Sequence, residues 1–502
     1  MTGIFNQNIK NKFIEELITD AASNDSNYYI TFGKFFEWPD DNNPPIPNTS
    51  IKESYYDVNR EMLFGKRLDA TTNFAYIFKK KTWTSGTVYD YYSHLDKDLF
   101  TKDFYVVTSK NRVYKCLFNN YGAPSTVEPD LTVNNGDFDT ADGYKWKFMF
   151  TINSVNNTRF TTDTYVPVVE SQSVRQFAEP GALHVAIVNN GGNNYTSSNG
   201  SFVSILSNNE FIIANNTSLN ISGAYTNSAI YIYSGNGAGS YSLITSYVAN
   251  SFGRYITTDK SIPFLDSTSL YYIGPYVRFN GDGINAKAIA HVNAASSKIT
   301  SIEIIDRGLN YSYADISIES NTYFGGNATA YAIISPPGGH GSDQASELGS
   351  DTLGISVKTS GLDNFPQWAK YRQVALLYNP KASANLTPFQ ESTFNQMTNF
   401  VIATGSKTGD INAGDSLLGL GRLGTATALY SNDTHLYIKD QLGTFIPGET
   451  VQSIDTGKTA VISSINNKDL VSFTGEIFYY NNIEPINRDG IATEEVKLYF
   501  RF

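Results

Sequence analysis

The sequence predicts a mainly β protein of several domains. Three observations carry this expectation. Aromatic residues make up 14% of the chain through 34 Tyr and 31 Phe, which with Thr favour pleated, half-buried surfaces. Short runs of alternating polarity, bounded by Gly, Asn, Asp and Pro, dominate after residue 21. At 502 residues the chain exceeds what one hydrophobic core organises, so several domains are expected.

Ile9, Phe13, Leu17, Ile18 and Ala21 recur at helical spacing and predict one amphipathic helix near residues 4–21. Strands are expected at "YYITFG" (28–33), "FAYIF" (74–78) and "RVYKCLF" (112–118). In "YKWKFMF", Tyr144, Trp146, Phe148 and Phe150 share one face and Lys145, Lys147 and Met149 the other, as a sheet with unequal sides requires.

From about residue 180 the texture changes to Asn, Ser, Gly and Ala, and an internal repeat emerges. "HVAIVNNGGNNYT" from His184 matches "SIEIIDRGLNYS" from Ser301, with one residue inserted after the aligned Gly191 and Gly308. "INAKAIA" (284–290) echoes "GNATAYA" (326–332), predicting stacked β-units over 180–340 with a different β segment between the copies. "SPPGGHGSDQASELGSD" (335–351) is dense in turn formers and reads as a connector. Residues 401–470 turn Gly-rich, and the strands "HLYIKD" and "KTAVISSI" suggest a small β-module. In the closing "EEVKLYFRF", Val496, Leu498, Phe500 and Phe502 alternate with Lys497, Tyr499 and Arg501, so this strand is expected to dock into a sheet.

A net charge of -11 argues against nucleic-acid binding, which needs clustered Lys and Arg. Cys116 stands alone, which excludes an internal disulfide and a Cys-rich zinc site and fits an inert thiol made in a reducing cytosol. The start lacks the apolar run of a signal peptide, and no stretch approaches the ~18 apolar residues of a membrane span. Synthesis in a cytoplasm, without membrane insertion, is expected.

The chemical motifs are near misses. "GLGRLG" (419–424) spells a dinucleotide fingerprint, but no helix follows to seat a phosphate. "GKT" (457–459) resembles a P-loop ending, but Gln452 stands where the first Gly belongs. "DFDTADG" (137–143) resembles a calcium loop, yet Ala141 and Asp142 occupy the fifth-ligand and glycine positions, so an acidic turn is expected. His94, His184, His291, His340 and His435 are scattered and form no metal-binding pair in sequence. Glu476 with Glu484, or Asp306 with Asp315, are candidate carboxylate pairs for glycoside cleavage, but a chain with 48 acids supplies such pairs on any solvated surface. The expectation is therefore a protein that is not an enzyme, with no catalytic residues, cofactor or metal.

"WPDDNNPPIPNTS" (38–50) offers Asp40, Asp41, Asn42 and Asn43 as oxygen donors, but adjacent side chains on an extended chain diverge. Pro44, Pro45 and Pro47 stiffen the segment towards a polyproline path, so it loses little entropy on docking. Trp38, Pro44, Pro45 and Pro47 are thus candidate partner-contact residues.

Several blocks together resemble a known family. "YYITFGK" with the Trp38 loop, "VYKCLFNN" with "EPD" downstream, "ADGYKWKFMFTI", "FPQWAKYRQVALLYNP", "GEIFYYNNIEPI" and "EEVKLYFRF" resemble, in this order, the dimeric β-sandwich wedge protein of the baseplates of contractile-tailed bacteriophages. The strongest match is the Asp142-Gly143-Tyr144 turn with Trp146, supported by Arg372-Gln373, Asn379-Pro380 and Gly475-Glu476. The resemblance implies a layered β-sandwich core with a few short helices, built from residues 1–178, 351–382 and 471–502, and inserted β-domains, a repeat domain at 179–350 and a small β-module at 383–470. It also implies a homodimer, contacts to other baseplate wedge proteins and residence in the virion. The alternative is a host-surface glycan-binding or glycan-cleaving tail protein using the repeat region.

Overall fold

The computed structural model describes residues 7–319, 325–360, 363, 365–488 and 493–502. It is mainly β, as composition and alternation predict. The chain divides into two compact units, Met1–Tyr76 with Asp351–Phe502, and Ile77–Ser350. Residues 77–178 therefore belong with the repeat segment and not with residues 1–76.

In the first unit a five-stranded antiparallel sheet runs Thr393–Asn395, Met62–Arg67, Tyr28–Gly33, Tyr371–Tyr378, Glu476–Ile486. Tyr28–Gly33 is central and buried along its length. Ile30 and Phe32 face a core shared with Leu353, Ile355 and Val357, whereas Tyr29 packs with Val58 and Phe394 on the other side. Burial on both faces is why "YYITFG" is almost continuously apolar. The closing strand Glu494–Arg501 pairs with Thr352–Thr359, and Val496, Leu498 and Phe500 pack on the same core. The closing strand thus docks into a sheet, as its alternation predicts.

The helix Gln7–Ala22 buries Ile14, with Leu17, Ile18 and Ala21 against the core, while Ile9 and Phe13 are exposed. Leu17, Ile18 and Ala21 thus face the core as predicted, while Ile14 is buried in place of Ile9 and Phe13; the expected start at residue 4 lies outside the described residues. A second helix, Ile51–Glu61, was not expected. Ser50 caps it by accepting the Glu53 N–H at 3.4 Å, and Val58 reaches the sheet.

Later in this unit the strands Thr398–Ile402, His435–Leu442, Thr425–Ser431, Ser416–Gly419, Thr450–Ser453 and Thr459–Asn466 close a barrel. Phe400, Leu417, Leu436, Val451 and Ile462 fill it. Closure removes the open edges that a short β-module would otherwise expose.

The second unit contains a four-stranded sheet, Tyr105–Val107, Arg112–Asn119, Tyr144–Thr151, Phe138–Asp139, and an 11-stranded sheet that closes on itself twice. One ring runs Leu270–Gly281, Lys287–Asn293, Lys298–Asp306, Leu183–Asn193, Gly326–Ile334, Ala314–Ile318 and back to Leu270–Gly281. The other contains Ser198–Ser207, Glu210–Ile213, Gly253–Thr258, Tyr241–Asn250 and Ser228–Ser234, and closes through the first half of the same Leu270–Gly281 strand.

The internal repeat forms the first ring with pseudo-twofold symmetry. Ala186 pairs with its own counterpart, Ile302. Asn190 and Asp306 each accept the N–H of a following glycine, Gly192 and Gly308, at 3.0 and 3.1 Å. Those glycines have φ of 63° and 62°, and each lies against a Tyr three residues on, Tyr195 or Tyr311. The copies therefore match without a gap, Gly192 and not Gly191 being the partner of Gly308. They are also interlocked and not stacked, because Gly326–Ile334 of the second copy pairs with Leu183–Asn193 of the first, and Lys287–Asn293 of the first with Lys298–Asp306 of the second. Each copy supplies the edge the other lacks.

Candidate functional site

Strands Arg112–Asn119 and Tyr144–Thr151 pair antiparallel and bury Tyr114, Cys116, Tyr144, Trp146 and Phe148 in one core. Their other face is not the wet side that the alternation implies. Lys115 and Lys147 are direct cross-strand neighbours there and only 0% and 2% exposed. Two like charges placed opposite each other and stripped of water need compensation.

Glu347 supplies it for Lys115 through a close ion pair, its other oxygen accepting the Gly341 N–H at 2.7 Å. Lys147 donates to the carbonyls of Asn134 and Gly136 at 3.0 and 3.1 Å. Beside them the buried Asp137 carboxylate meets His184 Nδ1 at 2.9 Å, Arg307 Nη2 at 2.5 Å and Lys145 Nζ at 3.2 Å. His340, 2% exposed, sits edge-on to the rings of His184 and Tyr92, each at 4.8 Å. Neither of its nitrogens has a hydrogen-bond partner among the described residues.

His340 and Glu347 come from the segment that reads as a connector. Its turn formers in fact lead a buried path, with Gly339, His340, Gly341, Gln344 and Ala345 all enclosed. Proximity of His184 to His340 across the fold was invisible in sequence spacing.

Burial pushes the His340 imidazole well below its ordinary value, and Lys115, His184, Lys147 and Arg307 add to this. Burial also lowers His184, although Asp137 pulls the other way. Burial pushes Lys147 down to about 8 against the pull of Asp137. Burial works to raise the Asp137 carboxyl, yet His184, Lys145 and Arg307 together hold it well below the carboxylate range. Both imidazoles thus bind protons more weakly in the folded state than the unfolded value of about 6.5. Their neutral forms support stability above that pH, and the contribution is lost as pH falls because the unfolded chain takes up more protons. The melting temperature should fall between about pH 7 and pH 5, and His340→Leu should flatten that slope. Parallel slopes for the two proteins would contradict the assignment.

A cavity of about 590 Å³ opens beside this cluster, lined by Phe118, Tyr121, Lys145, His184, His291 and Arg307 among others. On its wall His291 Nε2 lies 2.7 Å from Glu303 Oε2. Two imidazole–carboxylate pairs therefore border one cavity. Among the described residues, no three His, Cys, Asp or Glu side chains gather to hold a metal ion.

The near-miss motifs have other occupants. In the acidic turn, Asp139 pairs with Lys145 at 2.9 Å, and Asp142 accepts the Thr126 and Val127 N–H groups at 2.7 and 3.0 Å. Asp137 and Asp139 thus meet on the Lys145 ammonium while Asp142 turns to the backbone, so the three carboxylates form no shared cation site. In "GLGRLG", Glu449 accepts the Gly421 and Arg422 N–H groups at 2.7 and 2.5 Å and the Ile446 N–H at 3.1 Å. A carboxylate of the chain itself thus fills the seat a phosphate would take. Glu476 and Glu484 lie on one strand, separated by roughly 26 Å at ~3.3 Å per residue, well beyond a glycosidase pair. Asp306 is held by Lys287 at 3.2 Å, while Asp315 sits opposite Asn280 and Tyr331.

The residue 38–50 loop is pinned at several points. Asp41 grips Arg372 with both oxygens, at 2.8 and 2.6 Å, and accepts the Trp38 N–H at 2.8 Å. The Arg372 bond holds the Asp41 carboxyl below its ordinary value, though burial opposes it. Asp40 instead caps the Asn42 N–H at 3.0 Å, so the two acids diverge as expected. Asn482 donates to the Pro45 carbonyl at 2.9 Å, and the Asn48 N–H to the Tyr480 hydroxyl at 2.5 Å. Trp38 is half-buried with the Lys34 ammonium 4.9 Å from its ring centre. Pro44 and Pro47 are half-buried and Pro45 exposed, but the outermost apolar side chain is Ile46, 91% exposed, to which the sequence pattern gives no weight.

No family model matches the chain, and no curated protein matches it. Among the described residues no helix is long and apolar enough to cross a membrane.

Proposed function

We propose that the protein is a structural subunit of the baseplate wedge of a contractile phage tail, pairing with itself and bridging neighbouring wedge proteins. The observation that carries this reading is the pinned loop. Salt-bridge, amide and hydroxyl contacts fix its backbone while it presents Ile46 to solvent, an arrangement suited to docking with little entropy cost. The order of the sequence blocks that resemble the wedge family, and a composition of 14% aromatic and only 17% charged residues, support the same reading. On this reading the protein is made in the host cytoplasm and built into the virion, the β cores holding position while loops grip neighbours during sheath contraction.

Ile46→Asp should leave the melting temperature unchanged and lower incorporation into assembled wedges by roughly tenfold or more, as loss of an interface anchor does. Trp38→Ala should act in the same direction through the loop's seating. Unchanged incorporation of Ile46→Asp, or a strictly monomeric protein that captures no other wedge protein, would overturn the proposal.

A further inference from the structure

The cavity beside the His184–Asp137 pair has charges that cancel within its own wall. Asp137 is shared by His184, Lys145 and Arg307, Asp139 is held by Lys145, and Glu303 by His291. No cation is left over to draw an anion towards a chain of net charge -11, and among the described residues no group of acids gathers to hold a metal. A ligand that enters is selected by hydrogen bonding and shape, not by charge.

The pairing also fixes what the wall offers. Side chains that already hold one another lose little freedom when a ligand arrives. A guanidinium has more N–H groups, and a carboxylate more acceptor sites, than these contacts consume, so donors and acceptors stand side by side. That suits hydroxyl groups, which both donate and accept. At about 590 Å³ the cavity lies within the range of ~300–1,000 Å³ over which proteins enclose small organic ligands.

The aromatic part of the wall is held in a strained conformation. Asn120 and Tyr121 are consecutive left-handed residues, with φ of 48° and 56°. Asn tolerates that region, but a bulky side chain stays in it only where its surroundings hold it. Here the Asn120 amide donates to the Asp142 carbonyl at 3.1 Å, the Gly122 N–H to the Asn119 side-chain oxygen at 3.2 Å, and the Tyr121 hydroxyl to the Thr300 carbonyl at 3.3 Å. Phe118 lies perpendicular to Tyr121 with ring centres 5.1 Å apart. Yet Tyr121 remains 54% exposed, so the strain is not explained by burial. A fixed, open aromatic face receives the C–H face of a pyranose ring, while the sugar's hydroxyls reach the polar wall.

We propose that this cavity, between the Asp137–Gly143 turn and the strands Leu183–Asn193 and Lys298–Asp306, binds a neutral saccharide. Tyr121 carries the sugar ring, and the His291–Glu303 pair and Arg307 take its hydroxyls. The assignment does not depend on the assembly role.

Titration calorimetry of the full chain with maltotriose, cellotriose, mannotriose and, as the charged comparator, a galacturonic acid trisaccharide tests it. At least one neutral trisaccharide should bind with a Kd of about 1 mM or tighter. Its affinity should change by less than about twofold between roughly 0.05 and 0.5 M salt, because no net charge is neutralised. The acidic trisaccharide should bind at least about tenfold more weakly. Tyr121→Ala should cost the neutral ligand about tenfold and His291→Ala about fivefold, whereas Tyr121→Phe, which keeps the ring, should stay within about threefold of the parent. Thermal melting establishes that each variant is folded, and His291→Ala decides the matter should Tyr121→Ala unfold. Failure of all the neutral trisaccharides to bind, an acidic trisaccharide binding as tightly, an affinity that falls steeply with salt, or full affinity in folded Tyr121→Ala or His291→Ala would each overturn the proposal.

Discussion

Glu347→Ala is expected to destabilise the Ile77–Ser350 unit by about 3–5 kcal/mol, because it leaves a fully buried ammonium without its counter-ion. Lys115 has no exposed surface, and the neighbour across the strand pair is another buried lysine, so relaxation cannot bring the charge to water. The loss also strands the Gly341 N–H, which Glu347 accepts. Removing both charges together, as in the Lys115→Met/Glu347→Gln pair, should recover much of the loss, since the attraction of a buried pair does little more than offset its desolvation. Hydrogen exchange reads this locally: amides of Arg112–Asn119 should lose protection in Glu347→Ala while those of Tyr28–Gly33, in the other unit, keep theirs. Equal protection in both strands would refute it.

Gly308→Ala should be nearly as damaging, and Gly192→Ala should match it. At each the backbone is left-handed, which costs a residue with a Cβ about 1–2 kcal/mol. The added carbon would also lie 2.5 Å from the Ile284 carbonyl oxygen, or 2.4 Å from that of Gly326, so the pairing strand must move. Gly326→Ala is the control: its Cβ meets nothing within 4 Å, and a change within about 0.5 kcal/mol is expected of an open site. Paired chemical denaturation of the three variants measures the difference. A mild Gly308→Ala beside a severe Gly192→Ala would break the equivalence of the two copies.

Legibility in the sequence depended on what each signal measures. Short aromatic and β-branched runs located the strands at 28–33 and 112–118, and alternation the one at 494–501. The same alternation misjudged Lys147, since a charged residue marks the wet face only where no carboxylate or carbonyl waits inside. Ile51–Glu61 lacks a long apolar stripe, although Ser50 and Glu53 carry the spacing of a capping box at its start. The repeat was legible, but its interlocking was not, because similarity between copies says nothing about which copy's strand pairs with which. His340 and Glu347 were hidden among Gly, Ser and Pro, whose local conformational meaning obscured their long-range partners. In the loop, extended-chain geometry separates Asp40 from Asp41, but a single Ile46 among prolines carries no pattern that marks it as exposed.

The strand Leu270–Gly281, shared by both rings of the second unit, sets a timetable for synthesis. All strands of the inserted ring have been made once residue 281 is translated, so that ring can close while the ribosome is still working. Its closure holds the second half of the shared strand extended, a ready template for the strands made later. The other ring must wait for Gly326–Ile334, and until then Leu183–Asn193 lacks its main pairing partner. A chain stopped short of residue 326 would carry a finished ring beside an open strand edge, the kind of exposure that recruits neighbouring chains.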